Sequence, residues 1–386
     1  MESINEFGIK FKKLFNINHE AIFFAPGRVN LIGEHVDYNG GFVFPCALSM
    51  RIYAVAAKRS DNLIRFYSEN FSEIGIIEVE IDNLKNDKNH SWANYPKGVI
   101  DVFNKMGHKI THGFDVYYNG NIPYGAGLSS SAAIEVCTAN LLNHFFKFNL
   151  DGIKISLLAQ KAENEFIGMN CGIMDQFASA NCKKNHALLL NCNTLEYKHI
   201  PLELKDYSIV IINTNKKHEL VSSKYNERRE QCKLAADILN VRDLCSLSPE
   251  EFEKNKNLIS DIIVQKRAKH AVCENYRAIE ATKFLQNNNL KEFGKLMIDS
   301  HNSLKDDYEV SCFELDTIVN LALKQDGVLG ARMTGGGFGG CVVSIIKTND
   351  INSLIKNIGA EYKKITNLDA DFYITTADNG AEKYEE

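Results

Sequence analysis

The sequence predicts an α+β chain of two domains, strands and helices mixed in the first half and helices dominant in the second, with the working site in the cleft between them. Three observations predict it. The chain has 386 residues, 45% of them hydrophobic, which is too many for one average domain and enough for two cores of roughly 150 to 200 residues each. Strand-like and helical hydrophobic periods alternate as far as Leu190, and long helical periods take over after the strand Ser208–Asn213. The change of texture places the boundary near 195 to 205, giving a first domain over 1–200 and a second over 201–386.

Taken in order, residues 1–20 read as a short helix leading into a buried strand, Ala21–Ala25, ended by Pro26-Gly27. Arg28 to Gly41 then interleaves Arg28, Asn30, Glu34, His35 and Asp37 with apolar residues. Polar groups packed among apolar neighbours are costly without partners, so this segment reads as a polyol site whose carboxylates and imidazole face sugar hydroxyls. The plainer reading is a hairpin whose charges pair with one another. Asn39-Gly40-Gly41 signals a turn, Phe42–Pro45 returns as a strand, and Ile52–Ala57, Leu63–Ser68 and Ile76–Ile81 follow as strands. Trp92–Met106 reads as a helix, with Trp92 as a core residue.

Pro123 to Ala133 is a small-residue loop between the strand Gly113–Tyr118 and a helix marked by Ile134, Cys137, Leu141 and Phe145. Ser129 or Ser130 suits the N-cap. Serine hydroxyls, bare backbone N–H groups and the positive helix end make an anion site there, most naturally for phosphate. It is not a Walker A loop, since the loop holds no lysine. In the helix Ile153–Gly168, Glu163 falls inside the apolar arc, so it requires an ion pair or a metal, and Mg2+ at the phosphate loop suits a carboxylate beside hydroxyls. Asp175, among Ile173, Met174 and Phe177, is either a helix cap or a reactive carboxylate.

In the second half, Ser222–Leu239, His270–Gln286, Leu290–Ser303 and Phe313–Gln325 read as helices, and polar groups crowd Asn213–His218 and Ser222–Arg229. Thr334–Gly340 satisfies Gly-x-Gly-x-x-Gly, but Cys341–Ile346 behind it is a strand. That context excludes a dinucleotide-binding turn and points to close approach of backbone to a ligand or another loop.

A net charge of −5 and a pI near 6.2 give no broad attraction to nucleic acid or an anionic membrane. The ten cysteines stand singly, no run of about 18 apolar residues exists, and the N-terminus has no signal-peptide core. A cytoplasmic protein with free thiols is expected.

Together these segments resemble the GHMP kinases, and within them the galactokinase family. Arg28–Gly41 is similar to the family's N-terminal sugar signature, Pro123–Ala133 to its phosphate loop, Cys171–Gln176 to its catalytic-aspartate segment and Arg332–Gly340 to its third glycine motif. Asn213–Arg229 also matches. The motifs run in family order over nearly the whole chain. Val36 stands where threonine is usual, which bears on the shape of the sugar pocket, and Tyr124 where leucine is common.

The resemblance implies transfer of the ATP γ-phosphoryl group to the C1 hydroxyl of α-D-galactose. It implies Asp175 as general base and Arg28 as its partner and a stabiliser of the transferring group. Glu34, His35, Asp37, Gly172, Asp175 and Tyr225 would bind the sugar. Gly125, Ala126, Gly127, Leu128, Ser129, Ser130 and Ser131 would hold ATP, with Ser131 and Glu163 on Mg2+. Galactose and ATP are then the partners of a chain expected to be a monomer. The alternatives are a kinase for N-acetylgalactosamine or another hexose, and a regulator that binds galactose and ATP without turnover.

Overall fold

The computed structural model describes residues 4–123, 125–216 and 221–385. The readings at Tyr124 and at Lys217-His218 lie outside the described residues. The chain forms a mixed α/β architecture on three sheets.

In the seven-stranded sheet, Ala21–Asn30 pairs antiparallel with Pro45–Lys58, from Ala21 opposite Ala56 to Asn30 opposite Pro45. The register shifts between Pro26 and Arg28. Pro26-Gly27 therefore does not end this strand, as the sequence suggested. The bulge accommodates the proline, which has no N–H for the ladder, and the strand continues on to deliver Arg28 and Asn30. Phe114–Gly120 lies antiparallel to the long strand on its other side, Leu63–Ser68 runs parallel to Phe114–Gly120, and Ile77–Glu80 closes that edge. Side chains alternate across the sheet with period two. Phe23, Ala25, Ala54 and Ala56 join the main core with the helices Asn94–Lys105, Ser130–Phe145 and Gly152–Ala162. Ile22, Val55 and Ala57 meet Phe7, Phe11 and Phe15 of the first helix, Ile4–Phe15.

The four-stranded sheet has the order Val328–Thr334, Cys341–Lys347, Tyr207–Asn213, Asp371–Thr375, all antiparallel. Its period-two alternation faces two cores. Ile209, Ile211, Val343 and Ile345 pack into the main core, whereas Val210, Ile212, Val342 and Ile346 pack under the helices of the second half. After Asp371–Thr375 the chain crosses back, and Ala377–Asp378 and Glu382–Lys383 add to the first sheet.

A three-stranded sheet of Phe42–Val43, His186–Asn191 and Tyr197–Pro201 completes the set. Over it lies a small cluster of Val36, Val43, Ile173, Met174, Phe177, Leu188 and Leu190. Asp37 and Asp175 are the neighbours of residues in that one cluster, so the same apolar contacts locate both carboxylates.

Candidate active site

Asp175 sits in the first turn of the helix Met174–Asn181, whose N-cap is Ile173. It is not the cap, and it is held from outside its helix. Arg28 donates from Nε to Oδ1 at 2.7 Å and from Nη2 to Oδ2 at 2.9 Å, a bidentate pair. Arg28 Nη1 donates to Gly127 O at 2.9 Å. One buried guanidinium thus joins the aspartate to the phosphate loop. Burial works against its charge, but Asp175 and Glu34 more than offset that and push the Arg28 pKa above its ordinary value.

Ser129 holds the N-cap position expected of it or of Ser130, but without a side-chain cap. Ser129 precedes the helix Ser130–Phe145 in the left-handed region, φ 61°, and its hydroxyl makes no cap. Its Oγ donates to Asp175 Oδ2 at 2.6 Å instead. The first amides of any α-helix lack intrahelical partners, and with no side-chain cap at Ser129 they suit an anion. Gly125 and Gly127 have φ of 70° and 72° with no atom within 4 Å of an added Cβ, so glycine is required for backbone conformation and the loop face stays open. Ala126 and Leu128, expected at the nucleotide, turn their side chains into the core and can offer ATP only backbone. Gly335 of the late glycine run lies against Gly127 O, and Cys341 Sγ donates to Ala126 O, so that run backs the phosphate loop.

The expected sugar residues converge beside this point. Gly172 lies against the Asp37 carboxylate, with the Asp37 Cβ 3.1 Å from where a Gly172 Cβ would stand. Burial, then the neighbouring charge of Asp175, pushes the Asp37 pKa up to about 7. His35 is buried with φ 61°, and its Nδ1 shares a 2.8 Å hydrogen bond with the Tyr38 hydroxyl. Burial lowers its pKa to about 3, so it is neutral. The Tyr225 ring lies 5.7 Å from the His35 ring. Glu34 is 2% exposed, and its Oε1 accepts from Thr334 Oγ1 and Gly335 N–H, both at 2.8 Å.

Glu163 stands where the expected long helix changes. The α-helix ends at Ala162 and a single π turn, Glu163–Ile167, follows. Such turns occur often at functional sites. Burial, then Asp175, raises the Glu163 pKa, opposed by hydrogen bonds from Cys171, Ser131 and Gln176. Gln176 Nε2 also donates to Glu135 Oε2 at 3.0 Å, and Glu135 Oε1 has no partner among the described residues. Excess buried carboxylate beside a hydroxyl fits a divalent cation. Among the described residues no three His, Cys, Asp or Glu side chains converge on one ion, so phosphate oxygens would complete its shell.

Next to Ser130 and Ser131 opens a cavity of about 550 Å3 whose walls include Phe71, Trp92, Tyr95 and Ile134. Phe71 and Trp92 stack at 6.4 Å, and Trp92 Nε1 has no partner among the described residues. Trp92 is in the main core, as the sequence reading expected, and also walls this cavity; only the spacing of Trp92 and Tyr95 could have pointed to the second role.

Three family models match the chain: the galactokinase galactose-binding signature over residues 9–58, the GHMP kinase N-terminal domain over 94–183 and the GHMP kinase C-terminal domain over 281–364. The galactokinase of Clostridium acetobutylicum is 52% identical over 387 residues, covering 99% of this chain and 100% of that protein. That of Fusobacterium nucleatum is 54% identical, covering 97% of each. The crystal structure of Lactococcus lactis galactokinase complexed with galactose superposes with a TM-score of 0.95 at 42% identity, covering 99% of this chain and 100% of that one. Methanococcus jannaschii mevalonate kinase shares the fold, with a TM-score of 0.67 at 21% identity. Among the described residues no helix is long and apolar enough to cross a membrane. Identity of this extent over whole chains, with all three models in order, shows that the chain belongs to the galactokinase family of GHMP kinases, the ATP-dependent sugar kinases.

Proposed function

We propose that the cleft transfers the γ-phosphoryl group of ATP to the C1 hydroxyl of α-D-galactose, giving α-D-galactose 1-phosphate and ADP. The observation that carries the assignment of roles is Arg28, bound at once to Asp175 and to Gly127 O of the phosphate loop. A group at Asp175 and an anion at the loop are then adjacent, as in-line transfer requires.

Asp175 takes the C1 hydroxyl proton. Its Oδ2 already accepts from both Arg28 and Ser129, whereas Oδ1 accepts from Arg28 alone. Oδ1 therefore has the lone pair free for the sugar. Arg28 keeps the carboxylate aimed and faces the charge that builds on the transferring group. Glu34 Oε2, Asp37, neutral His35 and Tyr225 orient the sugar ring, and Gly172 leaves room for the Asp37 carboxylate. The amides of the loop, that of Ser129 included, with the hydroxyls of Ser130 and Ser131, hold the phosphates, and the cavity walled by Trp92 and Tyr95 takes the base. Ser131 and Glu163 would hold Mg2+, which when bound offsets phosphate charge. Lobes of 1–200 and 201–386 enclose the two substrates.

The test is Asp175→Asn. Galactose and nucleotide still bind by calorimetry, while kcat falls by about 10² to 10⁴. A residual rate within tenfold of the parent removes Asp175 as base.

A further inference from the structure

We propose that Glu274, His270 and Asn275, from one face of the helix Ile262–Gln286, are positioning residues that fix the backbone of the sugar loop and thereby set the affinity for galactose. The proposal rests on the assignment of Glu34, His35 and Asp37 to the sugar.

The segment Leu31–Gly41 has little regular structure, a short 3-10 turn at Asp37–Asn39 apart. It is also strained at His35, a non-glycine residue held at φ 61°. A buried, irregular loop must still satisfy its backbone groups, and strained residues persist only where their surroundings over-determine them. The partners come from far along the chain. Glu274 Oε1 accepts from Gly33 N–H at 2.9 Å and from Glu34 N–H at 3.3 Å. His270 Nε2 lies 3.1 Å from Glu34 O, an acceptor, so that nitrogen carries the proton. Asn275 Oδ1 accepts from Phe42 N–H at 2.7 Å. The start of the loop and the residue just past its end are thus tied to one helix, and each tie is to main chain. The side chains of Glu34, His35 and Asp37 take no part in these ties.

The anchors are themselves anchored. Glu274 is fully buried, accepts from Ser300 Oγ at 2.6 Å and pairs with Arg277 Nε at 2.7 Å. Burial alone would raise its pKa, but the charge of Arg277 more than offsets that and holds it well below the usual carboxylate range. His270 Nδ1 meets Ser303 Oγ at 2.9 Å, and burial lowers its pKa to about 4, keeping it neutral. Asn275 Nδ2 donates to Cys245 O at 3.1 Å. Positions 270 and 274 share a helix face at i, i+4 spacing, with 275 alongside. An ionised acceptor for two loop amides is worth more than an ordinary hydrogen bond.

Steady-state kinetics on Glu274→Ala, Asn275→Ala and Asn275→Asp test the proposal. Removing the Glu274 carboxylate raises the galactose KM about tenfold or more and leaves the ATP KM within about twofold. Asn275→Ala raises the galactose KM about threefold to tenfold. Asn275→Asp, whose side chain still accepts from Phe42 N–H but sets its second oxygen against Cys245 O, recovers only part of that loss. A purely structural role gives the opposite split: less active protein and a lower Tm, with the galactose KM of the folded fraction unchanged, and that result overturns the proposal. If Glu274→Ala does not fold, the Asn275 pair decides alone. Asp37→Ala is the control. If it leaves the galactose KM unchanged, the sugar-site assignment fails; if it raises that KM while the helix variants do not, only the positioning role fails.

Discussion

Gly172→Ala isolates the contact between the aspartate segment and the sugar loop. The backbone at Gly172 is not in the positive-φ region, so alanine is conformationally admissible. The new methyl would overlap the Asp37 carboxylate, with Oδ2 and Cγ inside van der Waals contact and Cβ at 3.1 Å. The carboxylate has to swing aside by about an ångström or more, enough to lose a charge-assisted hydrogen bond of about 1.5–3 kcal/mol to the sugar. At about 1.4 kcal/mol per factor of ten, the galactose KM rises roughly 10- to 100-fold. Overall stability shifts by about 1 kcal/mol or less, since alanine also restricts the unfolded chain. Initial rates of ADP release at saturating ATP measure the KM, and a thermal melt measures stability. In an Asp37→Ala background the carboxylate is gone and only the tight Cβ contact remains, so Gly172→Ala adds little to the galactose KM and the double-mutant cycle shows strong coupling. An unchanged galactose KM, or additive effects in the cycle, would refute the contact's role in sugar binding.

Two further predictions concern the other substrate and the pH. Tyr95→Ala raises the ATP KM by about 1–2 kcal/mol equivalent, roughly five- to thirtyfold, through lost stacking on the base, and leaves the galactose KM unchanged; equal KM values for ATP would remove the cavity from the nucleotide site. The Asp37 pKa is raised to about 7, chiefly by burial, above its unfolded value, so its contribution to the stability of the free protein is present at low pH and is lost as pH rises through about 7. The ionised form is the better acceptor for sugar hydroxyls, so the galactose KM falls as pH rises through the same range, and this dependence disappears in Asp37→Asn. A parent profile that is flat between about pH 6 and 8 contradicts the assignment.

The residues proposed to carry the chemistry stood out in the sequence because each broke a local rule. Glu34, Asp37, Glu163 and Asp175 are acidic residues in apolar company, and the serine loop couples a strand end to a helix start without a lysine. What joins them was not legible. Ser129 looked like a cap because its type and position suit one, but Asp175, which is distant in sequence, draws its hydroxyl away. Pro26-Gly27 looked like a strand end because the bulge that accommodates it depends on the partner strand. The π turn at Glu163 leaves the hydrophobic period almost unaltered, so a continuous helix was the natural reading. The strand pairing of 377–383 with the first sheet is a matter of tertiary packing, and segments of two residues carry no periodicity. The cavity beside Ser130 and Ser131 draws its walls from five separated segments, of which only the serine loop carries a motif.

The central claim is that the anomeric hydroxyl of galactose lies between Asp175 and the phosphate loop. It is tested most directly by an ADP-release assay over galactose, N-acetylgalactosamine, glucose and mevalonate, with 31P NMR locating the phosphate in each product. Galactose should be turned over with the highest kcat/KM and carry a single phosphate on C1. Phosphate on any other carbon, or a higher kcat/KM for mevalonate, would contradict it.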